Sequence, residues 1–192
     1  MTALPWPDHL LTLDEWEALP EETRYRVELV EGVLLVSPRP VIFHQWAVTR
    51  LGFLIHEQLP TQLSAASEAE IVIAEGPPPT VRAPDVIVID TELALTNPPR
   101  CQPGQVHLAI EVLSEGSVRT DRVTKFAEYA EVGIERYWIV DLDAPATLTR
   151  FHLIDGAYEL FGEHAGMVTV DIDDAPITLD LDALTTRRSQ KL

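Results

Sequence analysis

The stretch 106-VHLAIEVLSEGSVRTDRVTKFAEYAEVGIERYWIV-140 decides how the chain is read. Val106 to Leu113 is a mostly apolar run with one late carboxylate, Glu111, the pattern of a strand buried on both faces. Arg119 to Val132 reads as a helix, with Val123, Phe126, Ala127 and Ala130 as its apolar stripe and Gly133 as its stop. Arg136 to Val140 is a second strand of the buried type. A carboxylate late in such a strand is rarely buried without a partner, and the helix behind it carries Lys125. Lysine is scarce here: of 14 basic residues only Lys125 and Lys191 are lysine.

Working upstream, Pro84-Asp85 opens another short apolar run that ends at Ile89. Tyr25 to Val36 (YRVELVEGVLLV) splits around Glu31-Gly32 and predicts a hairpin, closed off by Ser37 to Pro40. Ala47, Leu51, Leu54, Ile55 and Leu59 repeat at helical spacing, which predicts a helix over 42–59. Thr12 with Glu15 three residues on has capping-box spacing for a short helix over 13–19. Residues 70–74 read as a strand. Downstream, 148–153 and 158–161 flank Asp155-Gly156, a hairpin signal, and 168–172 adds a strand. This order predicts an α/β fold, a central mixed β-sheet flanked by helices with additional N-terminal and C-terminal hairpins. The expected organisation is one domain over 1–192, with a core at about 25–153 and a C-terminal extension over 154–192.

Composition bounds the function. Cys101 is the single cysteine, which excludes an intramolecular disulfide and a multi-cysteine zinc site and fits a reducing, cytoplasmic setting. No signal-peptide pattern and no run of membrane-spanning length is visible. A net charge of −17 repels nucleic acid and attracts cations. Arg119, Arg122, Lys125 and Arg136 form the one internal basic cluster, expected around the site; Arg187, Arg188 and Lys191 lie near the C-terminus. No phosphate-binding glycine loop and no nucleophile elbow occurs.

Hydrolysis of a phosphodiester needs an activated water, stabilised phosphate charge and a protonated leaving oxygen, much of which a divalent metal supplies. Magnesium takes oxygen ligands and often only one or two carboxylates. Asp85 and Glu111 can supply them if their strands are neighbours, and the Val112 carbonyl can add a third ligand. Lys125 can orient or deprotonate the water, or neutralise developing charge. The plain alternative for Lys125 is a surface ion pair with Asp121 or Glu128 on the same helix. Glu28, among alternating apolar residues of the hairpin, is an accessory ligand or an exposed strand residue. His44 is a phosphate or Glu28 contact, or a packing histidine. Tyr129, Tyr137 and Trp138 read as core aromatics.

These residues also carry a family likeness. Pro84-Asp85 followed by Glu111 on a later strand resembles the PD-(D/E)xK nuclease superfamily, although the motif's lysine position holds Leu113. The set 26-RVELVEG-32, His44, 82-RAPDV-86, 111-EVLS-114 and 121-DRVTKFAEYAEVGIERYW-138 is similar, in order, to the Uma-two family of restriction-endonuclease-like proteins. That resemblance implies a restriction-endonuclease-like fold, a lysine moved from strand to helix as Lys125, and a Mg²⁺- or Mn²⁺-dependent endonuclease acting on DNA. Cutting both strands of a duplex needs two active sites, so a homodimer is expected, with the strands after Leu148 as its interface. The rival readings are a non-catalytic binding or assembly module that keeps the fold, which the charge favours, and a hydrolase of small phosphoesters.

Overall fold

The computed structural model describes residues 7–20 and 25–186. The basic residues at 187, 188 and 191 lie outside them. Helix α1 (Leu13–Glu17) opens with the expected capping box between Thr12 and Glu15 and buries Trp16. Strands β1 (Arg26–Val30) and β2 (Val33–Ser37) form the hairpin, followed by α2 (Ile42–His56). Then come β3 (Leu63–Ser67), β4 (Ile71–Ala74), β5 (Thr80–Arg82), β6 (Val86–Asp90), the short α3 (Thr91–Leu95) and β7 (Val106–Val112). A π-helical turn, Thr120–Lys125, runs directly into α4 (Phe126–Glu131), which leads to β8 (Arg136–Asp141). The chain continues as β9 (Thr147–Ile154), β10 (Ala157–Ala165), β11 (Met167–Ile172) and β12 (Ala175–Asp180).

The central sheet has six strands in the order β10-β9-β8-β7-β6-β3. It is mixed: β7 and β8 are parallel and joined through α4, while the other neighbours are antiparallel. Strand alternation splits its side chains between two cores. Val86, Val88, Leu108, Ile110, Val112, Trp138 and Val140 pack beneath Ala47, Leu51 and Ile55 of α2 and the apolar side of the β11-β12 hairpin. Ile87, Ile89, Ala109, Tyr137 and Ile139 face α4, with Tyr129 among them. Residues 154–184 are woven into this arrangement: β10 is an edge strand of the sheet, and Val170, Ile172, Ile177 and Leu179 of the β11-β12 hairpin are buried in the chain's own core. Those core-facing side chains are therefore not available to the interface expected after Leu148.

A second sheet, β2-β1-β5-β4, lies on the N-terminal side and encloses Leu29, Leu34 and Val81 with Leu11 and Trp16. Its hairpin turns on Glu31 (φ 48°) and Gly32 (φ 77°), a pair of left-handed residues that matches the twist of the strands. A Cβ on Gly32 would stand 2.9 Å from the Cβ of Leu10 and 3.2 Å from the Leu11 carbonyl oxygen. Gly32→Ala therefore combines backbone strain with a clash, and we expect a loss of about 1–3 kcal/mol in urea unfolding. An unchanged midpoint would show that this turn is not under the constraint described. No helix among the described residues is long and apolar enough to cross a membrane.

Candidate active site

The register of β6 on β7 pairs Val86 with Ile110 and Ile87 with Ala109. Continued one residue outward, it sets Asp85 opposite Glu111, so the strand-neighbour condition is met. Both carboxylates are buried, at 2% and 1% exposure. Each commits one oxygen to the interior. Asp85 Oδ2 accepts the Val112 N–H at 2.7 Å and lies 3.5 Å from His44 Nε2. Glu111 Oε1 accepts from Lys125 Nζ at 2.8 Å and from the Tyr129 hydroxyl at 3.0 Å. The remaining oxygens, Asp85 Oδ1 and Glu111 Oε2, face Arg26, whose Nη1 is 2.7 Å from the first and whose Nη2 is 4.0 Å from the second.

Lys125 is the hub. It is 4% exposed, and its ammonium is 2.8 Å from Glu111, 3.3 Å from Asp121 Oδ1 and 3.6 Å from Glu28 Oε1. The alternative of a surface ion pair with Asp121 or Glu128 fails in two ways. The Asp121 partner is real but buried, and Glu128 turns instead to Arg82, which holds it through Nε and Nη2 at 2.7 and 2.8 Å. The expected apolar stripe is corrected in part: Phe126 and Ala130 pack against the core, but Val123 is 59% exposed and Ala127 is exposed, whereas Asp121, Lys125 and Tyr129 are buried. A π turn shifts side-chain phase relative to a regular helix. Here the inward row at every fourth residue is polar and points at Glu111. Phe126 fixes the helix beside it, meeting Phe151 edge-on at 4.9 Å and Tyr158 at 5.2 Å, while the Tyr137 hydroxyl donates to the Asp121 carbonyl at 2.9 Å.

Glu28 comes from β1, on the same side of the strand as Arg26. It accepts the Ala83 N–H at 3.1 Å and Arg82 Nη1 at 3.2 Å, so it is a buried member of the network rather than an exposed strand residue. His44 enters from the first turn of α2; its Nε2 is 2.7 Å from the Val112 carbonyl oxygen, and it contacts Asp85 rather than Glu28. That carbonyl keeps a second lone pair for another partner. The expected basic cluster does not assemble: Arg136 pairs with Glu135 and Asp173 and bonds the carbonyl of His107 at the start of β7, and Arg122 pairs with Asp141. Arg26, Arg82, Asp121 and Tyr129 are site members that the sequence reading did not assign. The two-residue spacing of Arg26 and Glu28 on a strand was the available signal for the first of them.

Burial acts against every charge here, and the partners decide the outcome. Burial opposes ionisation of Asp85, but His44, Arg26 and the Val112 N–H hold it at about 2. For Glu111 burial prevails over the pull of Lys125, and its carboxyl is pushed up to about 8. Burial disfavours charge on Lys125 and His44, yet the carboxylates around Lys125 and the Asp85 contact of His44 leave both raised. Raised groups stabilise the fold at low pH and lose that contribution as pH rises through the folded value. Glu111 and His44 therefore act in one direction. We expect the urea midpoint of metal-free protein to fall as pH rises from the ordinary glutamate range to about 8, and Glu111→Gln to flatten the profile. A midpoint independent of pH in the parent protein would contradict the raised Glu111.

The comparisons with known proteins bear on this geometry. A family model described as "Putative restriction endonuclease", Uma2, matches residues 13–182. The chain belongs to this family. The match covers all six residues expected to form the site, Glu28, His44, Asp85, Glu111, Val112 and Lys125, and extends beyond them through β12. A crystal structure described as a "putative nuclease belonging to DUF820", from Anabaena variabilis ATCC 29413, superposes with a TM-score of 0.65 at 22% identity, covering 91% of this chain and 97% of that one. That likeness supports the restriction-endonuclease-like fold. A search among curated proteins gave no match.

Proposed function

We propose that the chain is a divalent-metal-dependent nuclease that hydrolyses phosphodiester bonds of DNA, with Asp85 and Glu111 as metal ligands and Lys125 as the cationic group beside the attacked phosphate. The observation that carries this reading is the paired arrangement of the two carboxylates: each is braced through one oxygen and turns the other toward a common point. Two such oxygens, with the Val112 carbonyl, suit a hard, oxygen-seeking ion such as Mg²⁺ or Mn²⁺. Among the described residues no group of three or more His, Cys, Asp or Glu side chains forms a ready metal cage. Two carboxylate oxygens and one carbonyl would leave positions on such an ion for water and phosphate.

When bound, the ion would polarise the phosphate and lower the pKa of a water. The chain's own residues then set the geometry. Lys125 keeps its proton, which supports orientation of the water and neutralisation of developing charge over proton abstraction. Glu28 and Tyr129 fix Lys125 and Glu111 from either side. His44, with its raised pKa, holds Asp85 Oδ2 inward so that Oδ1 faces outward.

Among the described residues Arg100, Arg122 and Arg136 are each engaged by carboxylates, which favours a second reading, hydrolysis of small phosphoesters. Cleavage of plasmid DNA in the presence of bis(p-nitrophenyl) phosphate separates the two. A DNA enzyme keeps its rate at millimolar small ester, whereas strong inhibition with fast release of p-nitrophenol identifies the small substrate. For duplex cleavage we take a homodimer as the active species; a monomeric mass by light scattering with full double-strand cutting would remove it.

A further inference from the structure

Arg26 stands where the proposed ion would stand. Its guanidinium donates to Asp85 Oδ1 at 2.7 Å and to the Ala83 carbonyl, with Nη2 4.0 Å from Glu111 Oε2. These are the only two carboxylate oxygens of the pair that Val112, His44, Lys125 and Tyr129 do not already hold. A metal and a guanidinium cannot occupy that point together, because like charges repel at contact distance. Arg26 is also the most accessible of the site's cations, with its side chain 17% exposed against 5% for Lys125 and 1% for Arg82. It sits on the first residue of β1, at the end of a long flexible stem, so it can leave without disturbing the strand.

We infer that Arg26 is a tethered cation that closes the metal site in the metal-free protein, and that a divalent ion binds only by displacing it. The inference rests on the metal reading above and adds a regulatory element to it. In the closed state Arg26 keeps Asp85 and Glu111 from facing each other uncompensated. In the open state it is released toward the solvent-facing side of the site. Metal affinity is lowered by whatever the guanidinium contacts contribute, and the protein is protected from collapse of the carboxylate pair when no metal is present.

Calorimetric titration of Mn²⁺ into the parent protein and into Arg26→Met tests this, with thermal unfolding of both in EDTA. Methionine keeps much of the stem and removes the charge. The expected result is a Kd for Mn²⁺ at least tenfold lower in Arg26→Met, together with a lower melting temperature in EDTA that saturating Mn²⁺ restores. Equal or weaker Mn²⁺ binding by Arg26→Met overturns the inference and leaves the metal reading intact. A parent protein and variant that both fail to bind Mn²⁺ overturn the two together. Should Arg26→Met not fold, Mg²⁺ titration of the parent protein followed by arginine Nε–Hε resonances decides: the Arg26 signal is expected to shift on saturation while that of Arg82 stays, and an unmoved Arg26 signal overturns the displacement.

Discussion

Lys125→Met is expected to reduce metal-dependent cleavage by about 10²–10³-fold and to destabilise the protein by about 3–5 kcal/mol. Both effects follow from the same contacts. The ammonium is the nearest positive charge to Glu111 and Asp121 and lies 3.6 Å from Glu28, and both carboxyl oxygens of Asp121 are buried without a hydrogen-bond partner. Removing it leaves Glu111 and Asp121 without their cation in the interior, partly relieved by protonation of Glu111, while Glu28 keeps Arg82. Lys125→Arg separates charge from placement. Arginine retains the positive charge but carries a wider head into a slot that leaves lysine 4% exposed, so we expect about 1–3 kcal/mol of overpacking cost and a cleavage rate still about 10²-fold down. Urea unfolding and initial cleavage rates on the same preparations check both halves. A Lys125→Met protein with parental stability and parental cleavage would mean that this lysine is a bystander.

The second large effect lies one layer behind. Arg82 is 1% exposed and joins three elements: β5 itself, Glu28 on β1 at 3.2 Å, and Glu128 on α4 through two bonds at 2.7 and 2.8 Å. Arg82→Ala leaves Glu28 buried with only Lys125 and the Ala83 N–H near it, frees α4 from the smaller sheet and opens a cavity. We expect a loss of about 3–5 kcal/mol in urea unfolding. Pairing it with Glu28→Gln should recover part of that loss, because the stranded charge is removed. A cost below about 1 kcal/mol for the single variant would show that the Arg82 network does not brace the site.

The sequence carries the site more clearly than it carries the route to it. Asp85, Glu111 and Lys125 were legible because two apolar strands and one helix are long, periodic signals, and an ionisable group within each stands out. The hairpin at Glu31-Gly32 was legible from turn chemistry alone. Strands β3 and β5 escaped because they are short, and Leu63–Ser67 with its two serines and two alanines lacks a strand's usual bulk. Of the apolar stripe on α4 and the turn before it, Phe126 and Ala130 face the core and Val123 and Ala127 do not, since the stripe assumes regular helical phase and the π turn at Thr120–Lys125 breaks it. Arg26 and Arg82 escaped for a different reason. The carboxylates they meet lie 59 and 54 residues away along the chain; the spacing of Arg26 and Glu28 puts the first on the side of β1 that faces the site but does not encode which carboxylate it meets.

Plasmid cleavage by parent protein and by Asp85→Asn, each with Mn²⁺ and with EDTA, decides whether the carboxylate pair works through a metal. Mn²⁺-dependent nicking or cutting is expected of the parent, none in EDTA, and a loss of at least about 10²-fold in Asp85→Asn, whose fold is retained in thermal unfolding. Cleavage that persists in EDTA, or that Asp85→Asn carries out at the parental rate, would contradict the metal reading.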